Sequence, residues 1–354
     1  MTAQAPRSQA APRKGGMERR IVMRALALVV TAVSLYLLLP SLLQVFSSWK
    51  DLRKLDPLWI VPAVVFEAAS FVSLWALQRI ALRTKSWFGV ATSQLAANAA
   101  GSVIPGGGAA AAAVQYGILL RSGIPAARIA SGLTASLAAT TGAMFLIPVV
   151  GAIAALGGSP APRTFRDVVY LGVGAFVLIV IAAVLAFAWD EPLKVVGRLG
   201  RTVAGWARRR EKYVDLPLRL LRQRDQIAAA FTEHPVAAFL ATLGKWALDY
   251  LALLCILEAL DVRPQRALVL LAYGAAQILS LIPATPGGLG FVEAGLVGLL
   301  ALAGVDAGTA AVATLGYRLV SYWLPLPAGL VAYVLARRHR WPGPSVAGAP
   351  GGST

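Results

Sequence analysis

The sequence predicts an all-α polytopic integral membrane protein of two inverted repeats, each with about three spans and one re-entrant hairpin broken by proline and glycine. Three observations lead to this prediction. Hydrophobic residues make up 58% of the 354 residues and charged residues only 14%, whereas soluble domains carry about 25% charged residues. Two apolar segments are interrupted by Pro-Gly clusters. The lysines and arginines concentrate in a few loops, as the positive-inside rule describes.

The charge pattern divides the chain into a membrane domain and two tails. The predicted tails are a disordered basic cytoplasmic tail (1–20) and a second cytoplasmic tail (337–354). The membrane domain (21–336) lies between them. It contains repeat one (about 21–156), repeat two (about 168–336) and a basic cytoplasmic loop (190–232). The basic loop is either an amphipathic helix on the anionic inner leaflet or a solvated linker.

Unbroken apolar stretches of about 17 residues or more predict the membrane spans. They lie at about 21–46, 57–78, 129–156, 168–189, 235–260 and 307–335. With these spans, every basic cluster falls on one side of the membrane. We therefore expect a multi-pass protein of the inner (plasma) membrane with both termini in the cytoplasm.

The two broken segments cannot be plain spans, because proline and glycine interrupt the helical hydrogen bonds and are tolerated at membrane depth only in buried or cavity-lining backbone. The residues of the breaks, which we expect to line the site, are Pro105, Gly106, Gly107, Pro283, Pro286, Gly287, Gly288 and Gly290. The arms of the first segment hold about 17 and 12 residues, and 12 residues are too few to cross the bilayer at ~1.5 Å per residue. We interpret both segments as re-entrant hairpins, although paired full spans would give the same sidedness.

A shift of 181 residues superimposes the two breaks, placing Pro105 on Pro286 and Gly123 on Gly304. The same shift places the span at 57–78 on the span at 235–260. Because each half then has an odd number of spans, the second half is predicted to be inverted. Paired broken segments in inverted halves are typical of a transport site near the bilayer midplane. The alternative is a pair of tight helical corners in a structural membrane protein.

Glu293 and Arg318 are candidate substrate-binding residues. Glu293 follows the second break, where the dipole of the next helix stabilises a carboxylate. It would bind a cationic head group, carry a proton or pair with an arginine, and helix capping is the alternative. Arg318 lies near the bilayer centre, where it requires a carboxylate, a backbone break or a lipid phosphate. Its candidate partners are Glu293 and Asp249.

Asp249, Glu67 and Lys245 complete the candidate substrate-binding set. Lys245 precedes Asp249 by four residues, a spacing that allows the two to pair on one helix face. The repeat shift projects Glu67 to within one position of Asp249. The two acids either share a cavity or are satisfied by packing. Gln94 and Gln277, before the two breaks, are expected to bond freed backbone groups.

Several classes of function are disfavoured. Cys255 is the single cysteine, and two histidines lie far apart, so neither a disulfide nor a metal site is expected. Nucleotide-binding and hydrolase motifs are lacking, so we expect no cofactor, no catalytic residues and no enzyme activity. The net charge of +17 follows the topology and requires no nucleic acid.

The stretches Ile282–Ala294 and Tyr317–Pro325, with Gly304 and Gly329, resemble the lysylphosphatidylglycerol synthase transmembrane-region family. That family is the flippase-like part of the bacterial multiple peptide resistance factor and of many stand-alone membrane proteins. The likeness covers about 21–336. It implies a protein that moves or handles a lipid between leaflets, with Glu293 and Arg318 as polar site residues.

The sequence departs from the family at Val292, where a basic residue is common. The protein is expected to be a stand-alone member without the aminoacyltransferase domain. We therefore expect that it does not make lysylphosphatidylglycerol.

Three functions stay open at the level of sequence. The first is a flippase or a transporter of a lipid-linked intermediate, with anionic or polyprenyl-linked membrane lipids as partners. The second is a proton- or ion-coupled secondary transporter of a small solute. The third is an accessory scaffold of an envelope-lipid enzyme. The lipid, the direction, the energy source and the oligomeric state, a homo-oligomer included, are not specified by the sequence.

Overall fold

The computed structural model describes residues 55–104, 107–156, 225, 229–281, 288–339 and 341. Its helices are α1 (Pro57–Ala81), α2 (Trp87–Val103), α3 (Gly108–Arg121), α4 (Ala126–Leu156), α5 (Pro235–Glu258), α6 (Arg266–Leu279), α7 (Phe291–Leu302), α8 (Ala307–Arg318), a π-helical turn (Leu319–Trp323) and α9 (Pro325–Arg338). The regular structure within these ranges is entirely helical. Both predicted tails, except Trp341 and the positions 337–339, the predicted spans at 21–46 and 168–189 and most of the basic loop lie outside the described residues.

Within the described ranges, four helices are long and apolar enough to cross a membrane: α1, α4, α5 and the continuous rod of α8, the π turn and α9. The shortest, α5, has 24 residues and is therefore about 36 Å long, more than the ~30 Å hydrocarbon core. Large apolar side chains face outward from these rods, including Leu137, Phe239 and Leu330, each about two-thirds exposed. Such faces belong in contact with lipid chains. The predicted polytopic all-α membrane fold is confirmed.

The two broken segments form pairs of short helices. The first has arms of 17 and 14 residues, α2 and α3, and the second has arms of 14 and 12 residues, α6 and α7. The longest arm is only about 26 Å, too short for the ~30 Å core. The arms of each segment pack on one another, as expected of re-entrant hairpins. Of the predicted break residues, Pro105, Gly106, Pro283, Pro286 and Gly287 lie outside the described residues.

The antiparallel pair of α1 and α5 joins the two halves of the described chain. The amide of Asp56 donates to the carbonyl oxygen of Ala259 (3.0 Å) at one end of the pair. Near the middle, the hydroxyl of Ser70 donates to the carbonyl oxygen of Lys245 (3.0 Å). This pairing brings the middle of α1, from the first half, against the middle of α5, from the second half.

The turns after α3 and α7 have the same hydrogen bonds. Gly123 and Gly304 have φ values of 85° and 91°, in the left-handed region that favours glycine. The amides of Ile124 and Val305 donate to the carbonyls of Leu119 (3.3 Å) and Leu300 (3.1 Å). This is the Schellman motif, which ends a helix and starts the chain back. The 181-residue shift therefore relates two identical turns.

Each hairpin packs against the final rod of the opposite half. Arm α2 lies on α9, where a Cβ on Gly329 would collide with the carbonyl oxygen of Leu95. Arm α6 lies on α4, where a Cβ on Gly274 would come within 2.7 Å of Cδ of Pro148. This reciprocal packing is what two related halves predict. The inversion of one half relative to the membrane stays a prediction.

Candidate functional site

A buried ion pair joins the second break to the last rod. Nε of Arg318 donates to Oε1 of Glu293 at 2.8 Å, and each residue is only 8% exposed. Oε2 of Glu293 accepts a hydrogen bond from the amide of Gly290 at 2.7 Å. Glu293 therefore caps α7 and pairs with Arg318 at once, so the two alternatives left open by the sequence are both present. Val292, in place of a basic residue, does not prevent this pairing.

The chain around this pair has two unusual conformations. Gly288 and Gly290 have φ values of 70° and 85°, so glycine is required there to turn the chain into α7. Arg318 stands immediately before the π turn, in which the amide of Leu324 donates to the carbonyl oxygen of Leu319 at 2.9 Å. Single π-helical turns are frequent at functional sites. Both conformations lie within the second half of the molecule.

Tyr322, in the π turn, connects the two breaks. The Arg318 guanidinium lies over its ring, 4.4 Å from the centroid, a distance typical of a cation–π contact. Its hydroxyl donates to the carbonyl oxygen of Ser102 at 2.9 Å, in the last turn of α2 before the first break. Leu289, within the second break, packs against the same ring. Tyr322 therefore joins the end of α2, just before the first break, to Leu289 in the second break.

Gly107, the described glycine of the first break, is needed for packing. A Cβ at this position would collide with the carbonyl oxygen of Gly101 in α2. Glycine here lets the start of α3 approach α2, which closes the hairpin. That Gly107 also lines the site stays a prediction.

A second polar cluster lies where α1, α5, α6 and α8 meet. Nζ of Lys245 donates to Oδ2 of Asp249 at 2.8 Å, which confirms the predicted pairing. Oδ1 of Asp249 accepts from the hydroxyl of Tyr317 at 2.6 Å, and this hydroxyl accepts from Nε2 of Gln277 at 3.0 Å. Glu67, on α1, interacts electrostatically with both Asp249 and Lys245. We call Glu67, Lys245, Asp249 and Tyr317 the carboxylate cluster.

The structure distributes the five predicted charged residues between these two places. Glu293 and Arg318 form one pair, whereas Glu67, Lys245 and Asp249 form the carboxylate cluster. Asp249, one of two partners proposed for Arg318, bonds Lys245 and Tyr317 instead. Tyr317 and Arg318 are neighbours in sequence, so the end of α8 contributes to both places.

Gln94 and Gln277 were expected to bond freed backbone groups, and Gln78 and Gln115 were not singled out from the sequence. Oε1 of Gln94 accepts from Nε2 of Gln78 (2.6 Å) and of Gln115 (2.8 Å), so these residues of α1, α2 and α3 bond one another rather than freed backbone. Gln277 likewise bonds Tyr317. Each glutamine lies on the inward-packing face of its helix. Helical spacing can predict that a residue is buried, but it cannot predict which polar group the residue will bond.

The sequence analysis also missed a basic cavity of about 390 Å³. Its walls are the end of α1 and the chain before α5: Ala76, Arg79, Ile80, Arg83, Thr84, Lys85, Ala230, Glu233 and His234. Nε of Arg79 is buried with no hydrogen-bond partner among the described residues, and its guanidinium lies 4.0 Å from the centroid of the Trp87 ring. The cluster of basic residues was visible in the sequence, but it was interpreted only as a topology signal.

Comparison with known proteins places the chain in a described family. The family model described as the lysylphosphatidylglycerol synthase TM region matches residues 24–329. A UPF0104 membrane protein of Methanothermobacter thermautotrophicus is 36% identical over 115 residues, 32% of this chain and 33% of that protein. A second match to a UPF0104 membrane protein of that organism is 27% identical over 93 residues, 26% of this chain and 28% of that protein. The matched regions thus span about a third of these curated relatives or less.

Proposed function

Because this chain belongs to the lysylphosphatidylglycerol synthase transmembrane-region family, we propose that it moves an anionic or polyprenyl-linked lipid between the leaflets of the cell membrane. The observation that carries this proposal is the contact of Tyr322 with Leu289 of the second break and with Ser102, in the last turn before the first break, beside the buried Glu293–Arg318 pair. Broken helices that meet inside a membrane protein are typical of transport sites. The proposal includes no enzyme activity and no cofactor.

Arg318 supplies the chemistry that a lipid phosphate requires. A guanidinium presents its N–H groups in a planar fork that matches both carboxylate and phosphate oxygens. In the structure one of these N–H groups bonds the Glu293 carboxylate. A phosphate at the same place would exchange one anionic partner for another, so Arg318 would never be left as an uncompensated charge in the membrane.

The basic cavity supports the proposal that the transported lipid has an anionic head group. Arg79, Arg83 and Lys85 line it together with a single acidic residue, Glu233. Glu233 pairs with Arg83 at 3.4 Å, so Arg79 and Lys85 leave the lining with a basic excess. On the topology predicted from sequence this cavity faces the cytoplasmic leaflet, where anionic lipids are abundant.

Movement of labelled lipids in proteoliposomes tests the proposal. Phosphatidylglycerol and a polyprenyl phosphate would each carry a fluorescent label. A membrane-impermeant quencher added outside the vesicles would report the arrival of each labelled lipid in the outer leaflet. We expect the wild type to move at least one of them. Arg318→Ala and Glu293→Gln should slow it by about tenfold or more, since a loss of ~1.4 kcal/mol already gives that factor.

Arg263→Ala is the matched control, because the Arg263 side chain is 73% exposed. Its rate should equal that of the wild type. Equal rates for wild type, Arg318→Ala and Glu293→Gln would contradict the site. Rates equal to those of protein-free vesicles for every labelled lipid would contradict the function.

A proton- or ion-coupled transporter of a small solute is the second candidate. The buried carboxylate cluster favours it, because ionisable groups inside a membrane protein often mark an ion pathway. Proton-driven uptake of a solute into vesicles, without movement of labelled lipid, would select this alternative.

A further inference from the structure

The carboxylate cluster has one more acidic than basic side chain. Its charged members are Glu67 on α1 and Lys245 and Asp249 on α5, and the hydroxyls of Tyr317 on α8 and Tyr273 on α6 face it. Glu67 and Asp249 are 5% and 4% exposed. With all three charged groups ionised, the cluster would carry one net negative charge away from water, which is strongly unfavourable.

The hydrogen bonds decide which acid is left uncompensated. Asp249 accepts from Lys245 at 2.8 Å and from Tyr317 at 2.6 Å, so both of its oxygens have donors. Oε2 of Glu67, in contrast, is buried with no hydrogen-bond partner among the described residues. A carboxylate oxygen without a donor is costly, whereas a carboxylic acid placed beside Asp249 can donate its own proton.

We propose that the carboxylate cluster is a proton-binding site that holds one exchangeable proton on Glu67 and couples lipid movement to proton transfer across the membrane. The proton leaves Glu67 to water and the carboxylate remains, with no other bond formed or broken. A proton fits this place better than a metal cation, because the Lys245 ammonium already occupies the space beside Asp249 and repels other cations.

The position of the site provides the coupling. Glu67 and Asp249 lie on the two halves of the antiparallel pair, so any displacement of α1 against α5 changes the distance between their carboxyl groups. Tyr317, which bonds Asp249, adjoins Arg318, which bonds Glu293 at the second break. Loss of the Glu67 proton would add repulsion between Glu67 and Asp249 on α5, and Asp249 is bonded in turn to Tyr317 on α8. The coupling half of this inference depends on the proposed lipid movement, but the proton site does not.

Infrared spectroscopy of the full-length protein in lipid tests the proton site directly. We expect a carboxylic C=O band at neutral pH that shifts in D₂O and is absent from Glu67→Gln. Glu258→Gln, a matched control on α5 whose Glu258 pairs with exposed Arg263 at 3.0 Å, should keep the band. A wild type without the band, or a band that persists in Glu67→Gln, would overturn the proton site.

Labelled-lipid movement with and without a pH gradient tests the coupling. The ratio of the two rates should exceed one in wild type and in Glu258→Gln, and should fall to one in Glu67→Gln. A wild-type ratio of one, or stimulation by a sodium gradient and not by a pH gradient, would overturn proton coupling. If the wild type moves no lipid, the proposed function fails while the infrared result still decides the proton site.

Discussion

Glu293 and Asp249, two buried carboxylates, are held by different kinds of donor. Glu293 accepts from a backbone amide and from a guanidinium. Asp249 accepts from an ammonium and from a phenol. Lys245 and Asp249 both lie on α5, whereas Tyr317 and Arg318 at the end of α8 bond Asp249 on α5 and Glu293 on α7. Removal of one charged partner exposes the other to an apolar environment.

Lys245→Met should destabilise the protein by about 3 kcal/mol or more, since it leaves Asp249 without its cation. The double variant Lys245→Met/Asp249→Leu should recover most of this loss, because no unpaired charge remains. Thermal unfolding in detergent measures both. The loss in the single variant should be smaller at low pH, where a proton on Asp249 replaces the lysine. A double variant as unstable as the single one would contradict the charge-based explanation.

Tyr317→Phe removes one hydroxyl from the carboxylate cluster. Hydrogen bonds to charged groups contribute about 1.5–3 kcal/mol, so a lower midpoint of thermal unfolding is expected. Tyr116→Phe is the control, since Tyr116 is 38% exposed. Equal midpoints for both variants would show that the phenol contributes nothing to the cluster.

At the scale of elements, close helix crossings depend on a few glycines. The crossing of α2 and α9 has Gly329 against Leu95 and Ala99, and the crossing of α4 and α6 has Gly274 against Pro148. Without strong hydrophobic driving force between helices in lipid, small residues that allow the backbones to approach are what stabilises such contacts.

Gly329→Ala should therefore separate α9 from α2 and lower the thermal unfolding midpoint. Gly298→Ala is a matched control on α7, because a Cβ there would meet no atom within 4 Å. Alanine at that exposed helical position is expected to be neutral or to stabilise by about 0.5–1 kcal/mol. Similar midpoints for the two variants would mean that the crossing tolerates a methyl group.

For the whole molecule, the predicted inversion places equivalent turns on opposite membrane faces. Ala126 and Ala307, the first residues of α4 and α8, are both exposed and related by the 181-residue shift. In a Cys255→Ala background, Ala307→Cys should react with an impermeant maleimide in intact cells. Ala126→Cys should react only after permeabilisation. Equal labelling of both in intact cells would contradict the inverted halves.

The sequence predicted the architecture well because hydropathy and broken helices constrain it strongly. The rods, the hairpin arms and the i,i+4 pair of Lys245 and Asp249 followed from spacing alone. The partners of Gln94 and Gln277 did not, because a glutamine bonds whichever polar group the packing of neighbouring helices supplies. The π turn could not be predicted from the sequence either, since Leu319–Trp323 contains no glycine or proline.

The related positions of the second half keep only one of the three basic residues of the basic cavity. The 181-residue shift relates Arg79, Arg83 and Lys85 to Leu260, Pro264 and Arg266. If the chain moves an anionic lipid as proposed, these unequal ends would bind the head group more tightly at the end that holds the basic cavity. Without a driving gradient, detailed balance requires the ratio of maximal rate to half-saturating concentration to be the same in both directions. Transport that starts from the tighter-binding end must then have both a lower half-saturating concentration and a lower maximal rate. The two directions would differ in rate at saturating lipid, although no net accumulation would occur.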